Sequence, residues 1–138
     1  MIRKVFALLL ALCLALPAAA DPEAEIRALY AAFVAAQNAR DIDAVRPLTD
    51  GRPVWGREAM LDRMAGFQTA EVWLVEPDYA ASRVVMLDAD SAVFHIPLVL
   101  VIGSKANPSR LPWLVEVICQ KEGDTWRIAG LYTAEDKR

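Results

Sequence analysis

The apolar residues of this chain change their spacing near residue 70, and this change limits the fold more than any other feature. Before it, apolar side chains recur every three or four positions, which is typical of amphipathic helices. After it, runs of Val, Ile, Leu, Trp and Tyr are separated by short groups of turn residues, which is typical of strands. Helices followed by strands predict an α+β domain, because a parallel sheet needs helices that alternate with its strands.

Three helices are predicted in the first half of the chain. The longest has Asp21 as its N-cap and runs to about Arg40. A short helix follows at residues 41–45, and Pro47 is expected to end it because proline has no N–H to donate. The third helix is predicted at residues 57–64.

Five strands joined by short turns are predicted in the second half, which indicates an antiparallel meander. They cover residues 71–76, 82–87, 92–102, 112–121 and 125–133. The third is apolar on both faces, which predicts cover on both sides, and Pro97 within it predicts a bend or a bulge. We therefore expect a cone-like domain in which about three N-terminal helices pack on one face of a strongly curved antiparallel sheet of four to six strands.

Residues 1–20 have the three parts of a secretory signal peptide. Arg3 and Lys4 are positive, residues 5–16 form an apolar run, and residues 18–20 are alanines. The apolar run is too short to cross a bilayer, which needs roughly 20 such residues. We therefore expect cleavage after the alanines, export to the periplasm or the medium, and no membrane anchor after processing.

The mature chain of residues 21–138 is expected to be one acidic domain. Removal of Arg3 and Lys4 leaves 13 of the 15 basic residues against 18 acidic ones, so the net charge moves from −3 to −5. No cluster of Lys and Arg is present, so nucleic-acid binding is not expected. Processing also removes Cys13, and Cys119, in an apolar strand, is then a lone thiol that we expect to be buried and inert.

Two short motifs carry a resemblance to a known family: Trp-Gly-Arg-Glu-Ala at residues 55–59 and Glu-Gly-Asp-Thr-Trp-Arg-Ile at residues 122–128. With three helices before a curved antiparallel sheet, they resemble the nuclear-transport-factor-two-like superfamily, and within it the SnoaL-like and ketosteroid-isomerase-like small secreted domains. The resemblance covers most of residues 23–133. It implies a sheet that wraps around the long helix and leaves an apolar cavity open at one end. Only about residues 48–55 are available for a strand pair that the family usually carries, which implies a trimmed rim.

The walls of this cavity are expected to be aromatic and apolar. The candidate pocket residues are Tyr30, Phe33, Trp55, Met60, Trp113 and Tyr132. The two tyrosines could donate hydrogen bonds to a ligand carbonyl, and the two tryptophans could stack on a ring.

Three residues are weak candidates for a general acid or base in the cavity: His95, Asp43 and Glu116. A site of several histidines is excluded because His95 is the only one, and we expect no metal. Asp43 lies beside basic residues, which favours a solvated ion pair. Glu116 has the opposite parity to Trp113 and its apolar neighbours, which predicts that it points away from the cavity.

The sequence favours an exported pocket that binds a small apolar or amphipathic molecule without catalysis. One alternative is an enzyme of the isomerase, cyclase or dehydratase type that uses acid–base chemistry, and another is a dimeric association module. No phosphate loop, nucleophile motif or cofactor fingerprint is present, so no cofactor is expected. A homodimer through the outer sheet face is expected because Leu114 and Ile118 would otherwise present apolar surface to water.

Overall fold

A computed structural model of the protein describes residues 20–49 and 69–138. Two α-helices and a 3₁₀ turn come first: α1 is Pro22–Asn38, α2 is Ile42–Val45, and the turn is Arg46–Leu48. Five strands follow: β1 Val72–Pro77, β2 Arg83–Met86, β3 Ser91–Gly103, β4 Pro108–Glu122 and β5 Thr125–Glu135. The described residues therefore form an α+β fold with five strands. The predicted third helix, at residues 57–64, and the predicted cleavage region up to residue 19 lie outside the described residues.

Helix α1 forms because its ends are capped and one of its faces is apolar. The Asp21 carboxylate accepts a hydrogen bond from the Glu23 N–H at 3.1 Å. The helix ends at Asn38, two residues earlier than expected, and Arg40 has the left-handed φ of 60° that commonly ends a helix. Neither described helix is long and apolar enough to cross a membrane. The buried face of α1 consists of Ile26, Leu29, Tyr30, Phe33, Val34, Ala36 and Gln37.

The short second helix ends at Val45, as expected, and a 3₁₀ turn that contains Pro47 follows it. Proline is tolerated there because the first positions of a helical turn need no N–H donor. The turn brings Thr49 to an isolated parallel bridge with Ile128 of β5. This contact covers part of the free edge of β5.

The five strands form one open, curved antiparallel sheet in the order β1-β3-β4-β5, and β2 also pairs with β3. β1 pairs with residues 98–103 of β3, whereas β2 pairs with residues 92–95. The two short strands therefore lie in line along the same edge of β3. The predicted meander is correct for β2 to β5 and wrong for β1, which pairs with β3 and not with its sequence neighbour β2.

Pro97 lies where this edge changes from β2 to β1. Its carbonyl accepts a hydrogen bond from the Asp78 N–H at 2.8 Å. Because both backbone groups of a residue in an antiparallel strand point to the same neighbour, the missing N–H of Pro97 also faces this edge and removes no bond to β4. The pairing of β3 with β4 accordingly runs through Pro97 without a shift, so of the bend or bulge predicted there, the bulge is wrong.

The register shift lies instead between β4 and β5. Ile118 pairs with Gly130 and Cys119 pairs with Ile128, which leaves Ala129 as an extra residue of β5. A bulge of this kind bends the strand and increases its twist. It also changes which side chains share a face, because alternation along the strand restarts after the extra residue.

One face of the sheet, which we call the inner face, packs against α1 and carries the core. Phe94, Val117 and Ile128 on this face are fully buried. The Tyr30 ring meets the Phe94 ring edge-on, with 5.3 Å between centroids and 70° between planes. The opposite surface is called the outer face below.

Asn38 joins the end of α1 to the edge strand β1. Its side-chain nitrogen donates to the Val75 carbonyl at 3.0 Å, and its side-chain oxygen accepts from the Val75 N–H at 2.8 Å. These two backbone groups point away from β3, so the amide takes the place that a further strand would occupy. The contact therefore fixes the helix on the sheet and blocks the open edge.

We expect Asn38→Ala to lower the free energy of unfolding by about 1–3 kcal/mol, because two partly buried backbone groups lose their partner. Urea denaturation followed by circular dichroism measures the change. Asn107→Ala, at an exposed position in the turn between β3 and β4, serves as the control and should change it by no more than about 0.5 kcal/mol. Equal losses in the two variants would show that the Asn38 amide does not carry the contact.

Candidate functional site

Large apolar side chains line the inner face beside the core without being fully buried. We call this set the inner-face patch. Cross-strand pairing places Leu98 opposite Trp113, and Val117 of the core opposite Leu131. Partly buried apolar surface of this kind is typical of the wall of a ligand pocket. The patch consists of Trp73, Leu98, Leu100, Trp113 and Leu131, all of which pack against the core.

Trp113 also brings a polar group to this wall. Its indole nitrogen Nε1 is buried and has no hydrogen-bond partner among residues 20–49 and 69–138. A buried N–H without an acceptor costs about 1–3 kcal/mol. An acceptor on a bound molecule would recover this cost, so the group favours a ligand that is not purely hydrocarbon.

Tyr30 and Phe33 belong to the buried face of α1 and are core residues, not partly exposed members of the patch. They are 2% and 1% exposed, and their ring centroids are 6.0 Å apart. Burial, with a smaller contribution from Tyr79, raises the pKa of the Tyr30 phenol well above its ordinary value. The phenol therefore stays neutral at any physiological pH. Both rings support the wall as parts of the core.

Three of the other predicted residues lie together on the outer face. His95 pairs with Glu116 across β3 and β4, and Glu116 pairs with Tyr132 across β4 and β5. His95 Nδ1 is 3.3 Å from Glu116 Oε1, and the two side chains are 27% and 56% exposed. Their parity is opposite to that of Phe94 and Val117, so the sheet separates all three from the inner-face patch.

The remaining predicted residues have different positions. Asp43 lies on α2, is exposed, and its carboxylate forms an ion pair of 3.4 Å with Arg46. Trp55 and Met60 lie outside the described residues. Of the six predicted pocket residues, the structure thus brings Tyr30, Phe33 and Trp113 to the inner side of the sheet.

Six residues at this site were missed by sequence reasoning. Thr133 and Glu135 lie at the border of the patch because they pair with Val115 and Trp113 on the inner side. The other four belong to the patch itself: Trp73, Leu98, Leu100 and Leu131. The sequence did show that Trp113 shares a face with the buried residues of β4. To identify Thr133 and Glu135 as their neighbours, however, the register of β5 against β4 was also needed. Thr133 and Glu135 are both exposed, so the border is polar and in contact with water.

A separate shallow groove lies between the first turns of α1 and the turn that joins β4 to β5. Its volume is about 270 Å³. None of the predicted pocket residues lines it. The lining residues are Glu25, Ala28, Leu29, Asp124, Thr125 and Trp126.

Comparison by sequence and by structure gives different results. No protein-family model matches the chain, and no curated protein matches it. A predicted dehydratase of the NTF2-like family from Streptomyces avermitilis superimposes with a TM-score of 0.69 at 13% identity, over 83% of this chain and 97% of that chain. A ketosteroid isomerase-like protein from Erwinia carotovora superimposes with a TM-score of 0.63 at 22% identity, over 83% and 96%.

A third similar structure is that of an uncharacterised protein with a cystatin-like fold from Caulobacter vibrioides. Its TM-score is 0.69 at 14% identity, over 83% of this chain and 89% of that chain. At such identities the likeness concerns the path of the backbone and not the chemistry of a site. The predicted resemblance is confirmed at this level: the chain has the fold of the nuclear-transport-factor-two-like, SnoaL-like superfamily.

Proposed function

We propose that the protein binds a small, largely apolar molecule that carries one hydrogen-bond acceptor, and that it binds it against the inner-face patch. The single observation that carries the proposal is the indole N–H of Trp113, which is buried within an apolar wall and has no hydrogen-bond partner among the described residues. Ligand pockets combine mostly apolar walls with a few placed polar groups, which is the combination found here. Because residues 1–20 have the features of a signal peptide, we place this activity outside the cytoplasm.

Binding is favoured over proton-transfer catalysis by the burial of polar groups. In the two described ranges, the buried polar residues are Gln37 and Thr49, neither of which is an acid or a base. A catalytic carboxylate or imidazole usually works in a desolvated site, where its pKa is moved toward the working pH. His95 and Glu116 lie on the other face of the sheet, and Asp43 is exposed.

An enzyme of the dehydratase or isomerase type is the second candidate. Two similar structures belong to proteins with those descriptions, and Glu135 is the described carboxylate next to Trp113 across β4 and β5. Glu135 is exposed, so it would need to be covered by a bound molecule before it could act as a strong base. The binding proposal needs no such step.

We expect Trp113→Phe to weaken ligand binding about tenfold, because the aromatic wall remains while one hydrogen bond is lost. Native mass spectrometry detects a small molecule that co-purifies, and titration with 1-anilinonaphthalene-8-sulfonate, an apolar probe with acceptor oxygens, measures the affinity. Trp113→Ala should abolish both signals.

Trp126→Phe is the matched control, since it removes a buried indole N–H that also has no partner among the described residues and that lies at the separate groove. It should leave binding unchanged. If Trp113→Phe and Trp126→Phe behave alike, or if the protein carries no small molecule and does not bind the dye while folded, the proposal is wrong.

A further inference from the structure

The groove between the first turns of α1 and the turn that joins β4 to β5 carries negative charge that nothing described balances. Glu25 and Asp124 line it, and no described lysine, arginine or histidine does. Most carboxylates in the described ranges accept a hydrogen bond or form an ion pair, as Glu23 does with Arg27. The carboxylates of Glu25 and Asp124 do neither among the described residues.

Regular backbone holds both of these residues. Glu25 is half-buried in the first turn of α1, on one stripe with Ala28 and Leu29, which follow it by three and four residues. Gly123 has the left-handed φ of 60° that two-residue hairpin turns favour, and Asp124 follows it at the tip of the turn. The backbone on both sides of the groove is therefore preorganised, which lowers the entropic cost of binding.

The floor of the groove is apolar except for one hydrogen-bond donor. Leu29 and Trp126 are 9% and 4% exposed and form this floor, with Ala28 beside them. The indole N–H of Trp126 is buried and has no acceptor among the described residues. Because Trp126 lines the groove, a molecule seated there can bring an acceptor to this N–H. The donor is independent of the two carboxylates and points to a ligand in the same place.

The surroundings of Trp126 already accept one positive charge. Lys121 pairs with Trp126 across β4 and β5, and its Nζ lies 5.9 Å from the centre of the indole ring. Lys121 is not one of the residues that line the groove, and it forms no ion pair with Glu25 or Asp124. A cation is therefore tolerated beside this ring, and the negative charge of the groove remains available to a ligand.

The size and the walls of the groove favour an organic cation over a metal ion. Its volume of about 270 Å³ is about nine times the share of one water molecule in the liquid. Divalent ions such as calcium take about six or more oxygen ligands, whereas the described residues contain no group of three or more His, Cys, Asp and Glu that could hold a metal. An ammonium group on a short apolar body matches both the carboxylates and the floor.

We propose that this groove binds a small organic cation, namely a primary ammonium group on a short apolar body that also carries an oxygen acceptor. Glu25 and Asp124 attract the ammonium group, the apolar floor covers the body, and the Trp126 indole donates to the oxygen. No residue of the groove belongs to the inner-face patch, so this site is separate from the one in the proposed function. The anionic dye that tests the patch is repelled by the groove, so the two sites can be measured apart.

Tyramine is the probe for this site, because it has an ammonium group, an apolar ring and a phenol oxygen. Nuclear magnetic resonance follows the ¹H–¹⁵N signals of the four tryptophan indoles, and Trp126→Phe identifies the signal of Trp126 by removing it. Tyramine should shift this signal and saturate it at about millimolar concentration. Tyrosol, which has a hydroxyl in place of the ammonium group, and phenethylamine, which lacks the oxygen, should each bind about threefold more weakly or worse.

Removal of each charge tests the two carboxylates. Glu25→Gln and Asp124→Asn keep the shape of the side chain, and each should weaken tyramine binding about two- to fivefold, because both groups are partly in water. The double variant should weaken it about tenfold. Asp43→Asn removes an exposed carboxylate of α2 and is the control, which should leave the affinity unchanged. The dispersion of the amide signals confirms that each variant is folded.

Four results would each overturn the proposal. The Trp126 signal does not move with tyramine, tyramine and tyrosol bind equally well, or the charge-removing variants bind as tightly as the control. In the fourth, calcium chloride shifts the Trp126 signal and displaces tyramine, which would identify a metal site. Tyramine that shifts the Trp113 signal and leaves that of Trp126 in place would contradict this site while agreeing with the proposed function.

Discussion

Phe94→Ala is expected to remove about 3–5 kcal/mol from the free energy of unfolding. Phe94 is fully buried at the centre of the inner face, where its ring contacts the edge of the Tyr30 ring and lies 5.5 Å from the Arg27 guanidinium carbon. Truncation removes the transfer energy of the ring, the aromatic contact and the cation–π contact, and leaves a cavity between α1 and the sheet. A single domain has about 5–15 kcal/mol in total, so the variant is expected to be close to its limit of stability.

Guanidinium chloride denaturation measures this loss, with fluorescence and circular dichroism as two probes of one transition. Leu87→Ala is the control, because Leu87 is a large apolar residue that is 64% exposed in the turn between β2 and β3. It should change the stability by less than about 0.5 kcal/mol. A Phe94→Ala protein as stable as the control would mean that α1 does not pack on this part of the sheet.

Cys119 is expected to react with a disulfide reagent at pH 8 about a thousandfold more slowly in the folded protein than in guanidinium chloride. Burial raises the pKa of the Cys119 thiol from 9.0 to about 12, and only the thiolate is nucleophilic. Three pH units reduce the thiolate fraction about a thousandfold, before any steric protection is counted. The predicted inertness of the thiol is therefore expressed as an expected ratio between its reaction rates in the folded and the denatured protein.

The reaction is best followed in a Cys13→Ser background, so that Cys119 is the sole thiol. A protein with Ser104→Cys and Cys119→Ala carries an exposed thiol on the same fold and should react at nearly the denatured rate. Similar rates for Cys119 in the folded and denatured protein would contradict its burial.

The same pKa predicts how stability depends on alkaline pH. The unfolded chain loses the thiol proton above about pH 9, while the folded protein keeps it until about pH 12. The contribution of Cys119 is therefore complete below pH 9 and falls by up to about 1.4 kcal/mol per pH unit above it. Burial also raises the pKa of Tyr30, which adds to the loss of stability above pH 10. Cys119→Ala should remove the part of the decrease in stability that begins at about pH 9.

Much of the fold follows from local pattern in the sequence. The N-cap at Asp21 and the apolar stripe of α1 depend only on neighbouring residues, and they predicted the helix to within two residues of its end. The five strands were predicted to within a few residues for the same reason, because turn residues separate them. The outward direction of Glu116 also agrees with strand parity, since β4 alternates without interruption over that stretch.

The candidate site depended more on the register between strands. Tyr132 was predicted to be a pocket residue. Trp126 and Ile128 of β5 are buried, and alternation along an unbroken strand would place Tyr132 on the same face as these two residues. Ala129 adds one residue to β5, so Leu131, Thr133 and Glu135 face inward and Tyr132 faces outward. A bulge is stabilised by the pairing of two strands and not by the residues of one, and no local pattern in β5 marks it.

The sequence by itself determined the α+β class, the extent of the elements and the face on which most strand residues lie, because period and turn chemistry are local properties of the chain. Tertiary structure decided that β1 and β2 share one edge of β3, that Pro97 is tolerated there, and that His95, Glu116 and Tyr132 form one row with Arg83 on the outer face. These features depend on which backbone groups meet across strands far apart in sequence. The stability of such long-range pairings depends on the whole sheet. The register is therefore established only when the sheet packs on α1.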